Sequence, residues 1–367
     1  MRSRPNPRKG RNDGPATRVI AQIAAGVAVL VGAAWGAAAL WFQSPFPGRA
    51  RAVLPAAWLA LAAGALIGLF VGQPLPAWLF GALLLALLAW WWLGVRPSNE
   101  RQWMPEVARQ TQGTVEGDIV TLRNVRNFDW RSRTDYDIRW ETRSYDLSRL
   151  ESVDLALSYW GRPAIAHALV SFGFADGQYV VFSVEIRRKL RDVFSEIGGF
   201  FRQYELSVLA STEEDSLRVR TNVRGEEGYL YRVHMPEGAA RKLFLAYVDT
   251  ATRLADKPRF YNTLTGNCTT IVYRLADQIV PGLPLDYRVL FSGYLPEYLY
   301  RLDALAGADS PLAYRQAGHY TQRARATVDA AEFSRNIRRG VPGVPQAPAP
   351  AQDGTAVPGA GARSRAT

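Results

Sequence analysis

The sequence predicts three N-terminal transmembrane helices followed by one α+β domain with an antiparallel sheet and a cysteine-bearing helix. Three charge-free apolar runs lie between residues 19 and 95. Residues 98–339 then alternate strand-like and helix-like patterns over a length that can bury one sizeable core. The only cysteine of the 367 residues, Cys268, stands where a turn-rich stretch becomes a helical pattern. The chain therefore divides into a membrane region and one globular domain.

Each of the apolar runs approaches the length of about 20 residues that a helix needs to cross a bilayer. The runs are residues 19–42, 53–72 and 76–95. The last two are separated by only three residues, one of them Pro74, which predicts a tight helical hairpin. A cleaved signal peptide would have a shorter apolar core, and two more apolar runs would not follow it. We therefore expect residues 19–97 to form a membrane region.

The charges around the first run predict its orientation. Six basic residues crowd residues 1–18, and such a segment tends to stay in the cytoplasm. Arg49 and Arg51 in the next loop oppose this orientation but are fewer. Three crossings then place residues 98–339 outside. We expect a multi-pass membrane protein whose soluble domain lies outside the cytoplasm.

The formal net charge of +11 bears on the partners. Much of the basic excess lies in residues 1–18 and around Arg323 and Arg338, where an anionic lipid surface is a better partner than nucleic acid. An ordinary solvated basic surface explains these residues equally well. No nucleic-acid-binding module is recognisable. Residues 340–367 are rich in Pro, Ala and Gly without periodicity, which predicts a disordered tail. The lipid bilayer is the expected partner.

Hydrophobic periodicity predicts several elements of the soluble domain. Residues 239–255 form a helical pattern with one apolar side, and residues 120–125 have a strand pattern. Residues 204–210 and 217–221 also have strand patterns, and we expect them to pair with each other across a short turn. Strands and helices thus mix in an α+β order.

The most regular strand signal is residues 166–187, where two apolar-rich runs flank Ala-Asp-Gly at 175–177. This pattern predicts a hairpin whose three-residue loop places Gly177 in the left-handed conformation. Phe174 then faces Gln178. Counting outward from this pair along both strands places His167 opposite Glu185. A two-residue loop would shift the pairing by one residue and separate these two side chains.

Alternation along the hairpin supports the first register, because the large apolar side chains fall on one face. His167, Ser171, Ser183 and Glu185 fall on the other. There Glu185 can orient the imidazole of His167 and stabilise its charge, as the third residue does in a nucleophile, base and orienter arrangement. Ser171 is a candidate supporting residue. A histidine bonded to a carboxylate only to satisfy its ring nitrogens would give the same pattern, and His234 or His319 can be the base instead.

Cys268 is the candidate nucleophile. Apolar residues follow it at helical spacing, which predicts that it lies on the inward face of a first helical turn, near unpaired backbone amides. Such a position favours a thiolate. Asn267 is a candidate donor to an oxyanion. A small buried thiol that acts only as an apolar side chain fits the same spacing.

Other chemistries have little support in the sequence. It contains no His-Glu-x-x-His motif, no second cysteine and no close pair of histidines, so we expect no metal and no cofactor. It also contains neither the Gly-x-Ser-x-Gly motif of serine hydrolases nor a phosphate-binding glycine loop with the spacing that such a loop needs.

Several short motifs make the chain similar to a known family, the Lnb N-terminal periplasmic domain, which is typified by a bacterial lipoprotein N-acyltransferase. The resemblance spans about residues 103–340. Its motifs are Asn-Val-Arg-Asn-Phe-Asp (124–129), Tyr-Trp (159–160), Ala-His (166–167), Ser-Phe-Gly-Phe (171–174), Ser-Val-Glu-Ile-Arg-Arg (183–188), Phe-Arg-Gln-Tyr-Glu-Leu (201–206), Phe-Tyr-Asn (260–262) and Asn-Cys-Thr-Thr (267–270).

The resemblance implies a circularly permuted papain-like fold, in which the histidine strand precedes the cysteine helix, as in the lecithin-retinol acyltransferase group. It implies Cys268 as nucleophile and His167 as base, whereas Glu185 as orienter comes from the hairpin register. With the membrane helices, the resemblance implies a multi-pass protein of the bacterial cytoplasmic (inner) membrane, with its soluble domain facing the periplasm. We expect a membrane-anchored thiol enzyme that transfers or hydrolyses acyl groups of membrane phospholipid or lipoprotein substrates. A cell-wall peptide amidase or peptidase, or a non-catalytic envelope assembly module, is the alternative. Unlike Lnb, this chain has its membrane helices before the domain.

Overall fold

The computed structural model describes residues 15–305 and 307–346, so most of the basic segment 1–18 and of the tail 340–367 lies outside the described residues. The N-terminal helices are α1 (Pro15–Phe42), α2 (Val53–Phe70) and α3 (Leu75–Leu93), and a 3-10 helix, Gly48–Ala52, leads into α2. Helices α1 and α3, and α2 together with its leading turn, are long and apolar enough to cross a membrane. The three predicted apolar helices are confirmed, with bounds that differ by a few residues.

The three helices pack on one another through small residues and aromatic rings. A Cβ atom on Gly36 would lie 2.4 Å from the indole nitrogen of Trp58, so this glycine permits the close approach of α1 and α2. The same indole nitrogen donates to the carbonyl of Gly32 over 3.2 Å, and Phe80 of α3 packs against the ring. Many apolar side chains on the outer sides of the helices remain exposed, as lipid-facing residues do.

The strands and helices of the soluble domain follow from residue 112 onward. The strands are β1 (Gln112–Glu116), β2 (Ile119–Arg126), β3 (Asp129–Trp130), β4 (Tyr136–Asp137), β5 (Trp140–Asp146), β6 (Leu150–Tyr159), β7 (Ala166–Phe174), β8 (Tyr179–Arg187), β9 (Glu205–Ser211) and β10 (Glu227–Arg232). The helices are α4 (Glu213–Ser216), α5 (Ala239–Asp256), α6 (Cys268–Ile279), α7 (Tyr287–Leu290), α8 (Leu295–Arg301), α9 (Pro311–Gly318), α10 (Thr321–Ala326) and α11 (Phe333–Ile337).

The centre of the sheet is antiparallel, in the order β9-β8-β7-β6-β10. Strand β2 joins the edge at β9 through one parallel pair, Arg126 with Ser211, and also pairs with β1 and β5. Strands β3 and β4 form a separate two-stranded ribbon. The domain is thus a mixed α/β domain built on one large sheet.

Helices cover both faces of this sheet. On one face Phe172 of β7 packs against Phe244 and Tyr247 of α5, in a cluster that α6 extends. On the other face Leu169 of β7 belongs to a cluster with Phe333 of α11. The alternation of β7 therefore serves two cores, because successive side chains of a strand point to opposite faces. The predicted helix at 239–255 and the predicted strand at 120–125 are confirmed.

The predicted register of the β7–β8 hairpin is confirmed. Leu169 faces Ser183 and Gly173 faces Tyr179, as expected when Phe174 and Gln178 are the pair next to the loop. Gly177 closes the loop with φ 81°, in the left-handed region where glycine pays no Cβ penalty.

The expected pairing of residues 204–210 with 217–221 is wrong. Strand β9 pairs with β8, and residues 217–221 continue from the helical turn α4 into the π-helical turn Val219–Val223. Distant arginines stabilise α4, because Arg126 binds the buried Asp215 over 2.8 Å and Arg338 binds the buried Glu213 over 2.6 Å. These ion pairs are long-range and leave no local pattern.

Candidate functional site

The sheet splits at one end between strands β7 and β8. Their ladder ends at the pair of Leu169 with Ser183. Beyond this pair β7 stays with β6 as far as Ala166, and β8 stays with β9 as far as Arg187. The two strands therefore diverge and leave a fork. A cavity of about 660 Å³ opens here, and Cys268, His167 and Glu185 are among its lining residues.

Helix α6 begins at Cys268 because Asn267 caps it. The Asn267 Oδ1 atom accepts from the amides of Thr269 and Thr270 over 2.9 and 2.8 Å, and the Thr270 hydroxyl accepts from the Asn267 amide, which completes a capping box. Ile271 and Leu275 bury the inner side of the helix in the core below. The thiol is thus placed at the first helical turn, as the spacing predicts.

His167 is buried and its Nε2 atom faces β8. It lies 2.7 Å from the Ser183 hydroxyl and 3.1 Å from Glu185 Oε1, and the Ser183 hydroxyl donates to the same carboxylate oxygen over 2.6 Å. With Nε2 engaged by this pair, Nδ1 is the ring nitrogen left for the thiol. The structure therefore brings together His167 and Glu185 as the register predicts, and adds Ser183 between them.

The electrostatics of the cluster favour charge separation. Burial opposes ionisation of the thiol, but the hydrogen bond and the charge of His167 outweigh it, so the pKa of Cys268 lies below its ordinary value. Burial and the charge of Arg220 lower the pKa of His167, whereas Glu185 and the interaction with Cys268 raise it to a net value above the ordinary one. Burial would raise the pKa of Glu185, yet His167 and Arg220 hold it well below its usual range.

The fork also supplies a backbone donor to the sulfur. The amide of Phe174 donates across the hairpin to Gln178. Because amide direction alternates along a strand, the amide of Ala168 points to the same side, where β8 has moved away. A hydrogen bond from this amide contributes to the lowered pKa of Cys268. The split in the sheet thus frees a donor that an intact ladder would use.

Arg220 is a site residue that no pattern in the sequence indicates. It is nine-tenths buried, lines the cavity and bridges Glu185 over 3.5 Å and Glu226 over 3.2 Å. It limits how far Glu185 can raise the pKa of His167. Arg220 belongs to the helical turn that replaces the expected strand, so the sequence gives no reason to place it near His167.

Ser171 does not lie at the site. It is on the predicted face, but its hydroxyl donates to the buried Glu213 and it belongs to the cluster around Arg338. Ser183, on the same face, makes the contact with His167 instead. Both serines lie on the predicted face of the hairpin. Only Ser183 is close enough to the end of the ladder to reach the fork.

Asn267 lines the cavity, but its side chain is committed to the helix start. Its Oδ1 atom caps α6, and its Nδ2 atom donates to the carbonyl of Thr263 over 2.7 Å. These bonds favour a positioning role over donation to an oxyanion. Since Thr269 and Thr270 give their amides to the cap, the amide of Cys268 itself is the helix-terminal donor that remains for an oxyanion.

The two other histidines lie elsewhere. His319 pairs with Glu227 over 2.6 Å and stacks on Tyr229, and His234 donates its backbone amide to Ala304. Neither is among the residues that line the cavity around Cys268. His319 does have a carboxylate partner, which the sequence did not reveal because Glu227 is 92 residues away.

Residues 136–293 match the family model of the Lnb N-terminal periplasmic domain. The matched segment contains both His167 and Cys268, and the three apolar helices precede it. The chain matches no curated protein and no solved structure. The family match and the apolar helices together describe a multi-pass membrane protein with a periplasmic domain.

Proposed function

We propose that this protein is a thiol enzyme of the bacterial cytoplasmic membrane that transfers or hydrolyses acyl groups at the periplasmic surface. Cys268 is the nucleophile, His167 the base and Glu185 the orienting carboxylate. One observation carries the proposal: a thiol of lowered pKa lies beside a buried imidazole and carboxylate in an open cavity. Shifted pKa values in a cavity are typical of catalytic groups. The order of histidine strand and cysteine helix supports a permuted papain-like arrangement.

The first half-reaction forms an acyl-enzyme. His167 takes the thiol proton on Nδ1, and the sulfur attacks the carbonyl carbon of an ester or amide, so that a C–S bond forms and negative charge moves to the carbonyl oxygen. The amide of Cys268 stabilises this oxygen. When the C–O or C–N bond breaks, the imidazolium gives its proton to the leaving group and a thioester remains.

The second half-reaction releases the acyl group. An amine or a water molecule attacks the thioester carbonyl and loses a proton to His167. The C–S bond then breaks and the sulfur departs as thiolate, which regains the proton from the imidazolium. An amine acceptor makes the enzyme a transferase and water makes it a hydrolase, because the rest of the cycle is common to both.

The cavity charges support a phospholipid or lipoprotein substrate. Arg224 lines the cavity and has no salt bridge with another described residue. Burial and the neighbouring charge of Arg220 lower the pKa of Arg224, so an anionic group placed there would relieve an unfavourable state. A lipid phosphate has the required charge. The membrane helices also hold the domain at high effective lipid concentration.

Alkylation of the intact protein by iodoacetamide across pH tests the dyad. We expect the parent thiol to react at a pH below the unperturbed pKa of about 8.5, because its own pKa is lowered. His167→Ala moves the curve to higher pH. His319→Ala is the matched control, since His319 has the same kind of carboxylate partner outside the cavity, and it leaves the curve unchanged.

Mass spectrometry after incubation with phospholipid vesicles tests the substrate. We expect an acyl adduct on Cys268. If the enzyme is a transferase, the adduct decays faster when an amine acceptor is added, and if it is a hydrolase, the adduct decays in buffer alone. A thiol that titrates near its unperturbed pKa, with the same alkylation curve in the parent and in His167→Ala, would overturn the enzyme proposal in favour of an assembly module. A reactive thiol that is acylated only by a cell-wall peptide analogue would overturn the lipid substrate.

A further inference from the structure

The segment between β8 and β9 exposes a row of large apolar side chains. They are Leu190, Val193, Phe194, Ile197 and Phe200, each between 43% and 76% exposed. Contiguous exposed apolar patches on folded proteins mark sites of contact with proteins or membranes. The position of this 190–200 segment decides which of these it contacts.

The segment ends on the first membrane helix. The ring of Phe201 stacks on Phe42, with centroids 5.5 Å apart, and the Gln43 side chain donates to the carbonyls of Phe201 and Arg202 over 2.8 and 2.9 Å. Phe42 is the last residue of α1. The 190–200 segment is therefore continuous with the end of a membrane helix.

The third membrane helix is held in the same way. The guanidinium of Arg202 lies over the rings of Trp91 and Trp92, 4.9 and 4.5 Å from their centroids, and donates to the carbonyls of Trp91 and Val95. Helices α1 and α3 cross in the same direction, so both contacts lie at the same side of the bilayer. Tryptophans at helix ends mark the headgroup level.

We propose that the 190–200 segment enters the interfacial layer of the bilayer beside α1 and α3. Its contacts place it at headgroup level, and its apolar side chains gain by leaving water there. Arg191 is exposed at the first turn of the segment and suits an anionic headgroup, whereas Arg188 and Lys189 pair with Glu106 and Asp192. The bilayer is the occupant because the patch is next in the chain to Phe201 and Arg202, which contact the ends of α1 and α3.

This segment also forms a wall of the cavity at Cys268. Phe194, Ser195 and Glu196 are among the lining residues. The Thr263 hydroxyl donates to the carbonyl of Glu196 over 2.9 Å, and Asn267 in turn donates to the carbonyl of Thr263. The cavity therefore opens beside the inserted segment, so that an acyl chain can reach Cys268 from the bilayer. This last step rests on the proposed function, whereas the insertion does not.

Depth-dependent fluorescence quenching tests the insertion. In the full chain carrying Cys268→Ala, which removes the only cysteine, Val193→Cys or Ile197→Cys is labelled with an environment-sensitive dye and placed in phosphatidylcholine and phosphatidylglycerol nanodiscs. We expect blue-shifted emission and loss of emission when brominated lipid is used. Val328→Cys, at a side chain that is 91% exposed in the C-terminal part of the domain, is the control.

The proposed insertion is overturned if brominated lipid quenches the dye at positions 193 and 197 no more than it quenches the dye at position 328. Two labelled positions protect the result against a single variant that folds poorly. Because these chains lack the thiol, the readout is independent of catalysis. Insertion without any acyl adduct in the parent would reject the proposed function alone, and an adduct without insertion would reject this inference alone.

Discussion

At the scale of single residues, the reactivity of Cys268 depends on a carboxylate that acts through His167. The charge of Glu185 raises the pKa of His167, and protonated His167 lowers the pKa of Cys268. Glu185→Gln removes that charge, so less imidazolium faces the sulfur and the pKa of the thiol rises. We expect the curve of alkylation rate against pH to move to higher pH, by less than in His167→Ala.

The chain contains a matched control for this change. Glu227→Gln removes the carboxylate partner of His319, which is held over 2.6 Å outside the cavity. It leaves the titration of Cys268 where it was. An equal shift in both variants would mean that overall charge, not the buried contact with His167, sets the reactivity of the thiol.

At the scale of elements, the start of α6 depends on its cap. Asn267→Ala removes an acceptor for two backbone amides and costs about 0.5–2 kcal/mol of unfolding free energy, as losses of N-caps do. Asn267→Asp keeps the acceptor and most of the stability, but its negative charge raises the pKa of Cys268. Denaturant unfolding and alkylation measure the two effects. Full stability of Asn267→Ala would argue against the capping role.

A second element, the C-terminal α11, is held by a buried ion cluster. Arg338, just after this helix, binds Asp154 over 2.9 Å and Glu213 over 2.6 Å, and both carboxylates are fully buried. Arg338→Met leaves buried charge uncompensated, and we expect a loss of about 3–5 kcal/mol in denaturant unfolding. Arg335→Met on the same helix removes an exposed pair with Glu332 and costs less than about 1 kcal/mol. Similar costs for both would contradict a structural role for the buried cluster.

At the scale of the whole molecule, the proposed acyl transfer joins the membrane helices and the soluble domain in one substrate path. Charges at the two exposed positions Val193 and Ile197, which do not line the cavity, oppose insertion. In the double variant Val193→Glu and Ile197→Glu we expect acylation of Cys268 by vesicle lipid to fall on the order of tenfold. The membrane helices still hold the domain at the bilayer, but acyl chains no longer reach the cavity along an inserted segment. Alkylation by soluble iodoacetamide stays unchanged. Val328→Glu is the control, and a parallel loss of both reactions would point to misfolding instead.

The sequence alone determined the features that depend on local periodicity. Three uninterrupted apolar runs are sufficient to predict membrane helices. The β7–β8 register also followed from local chemistry, because a strand alternates with period two and Gly177 fixes the loop. From that register came the contact between His167 and Glu185, which the structure shows at 3.1 Å. The start of α6 at Cys268 followed from the same kind of spacing.

Only the tertiary structure decided what depends on distant parts of the chain. Residues 217–221 continue the helical turn α4, whose Asp215 and Glu213 pair with Arg126 and Arg338, and no local pattern contains these pairs. Ser171 and Ser183 have equivalent patterns, yet the place where the ladder ends brings only Ser183 to His167. The proximity of Cys268 and His167, 101 positions apart in the numbering, arises because the sheet splits and the first turn of α6 lies at the split. Such contacts are set by packing across the whole domain, and local periodicity carries no information about them.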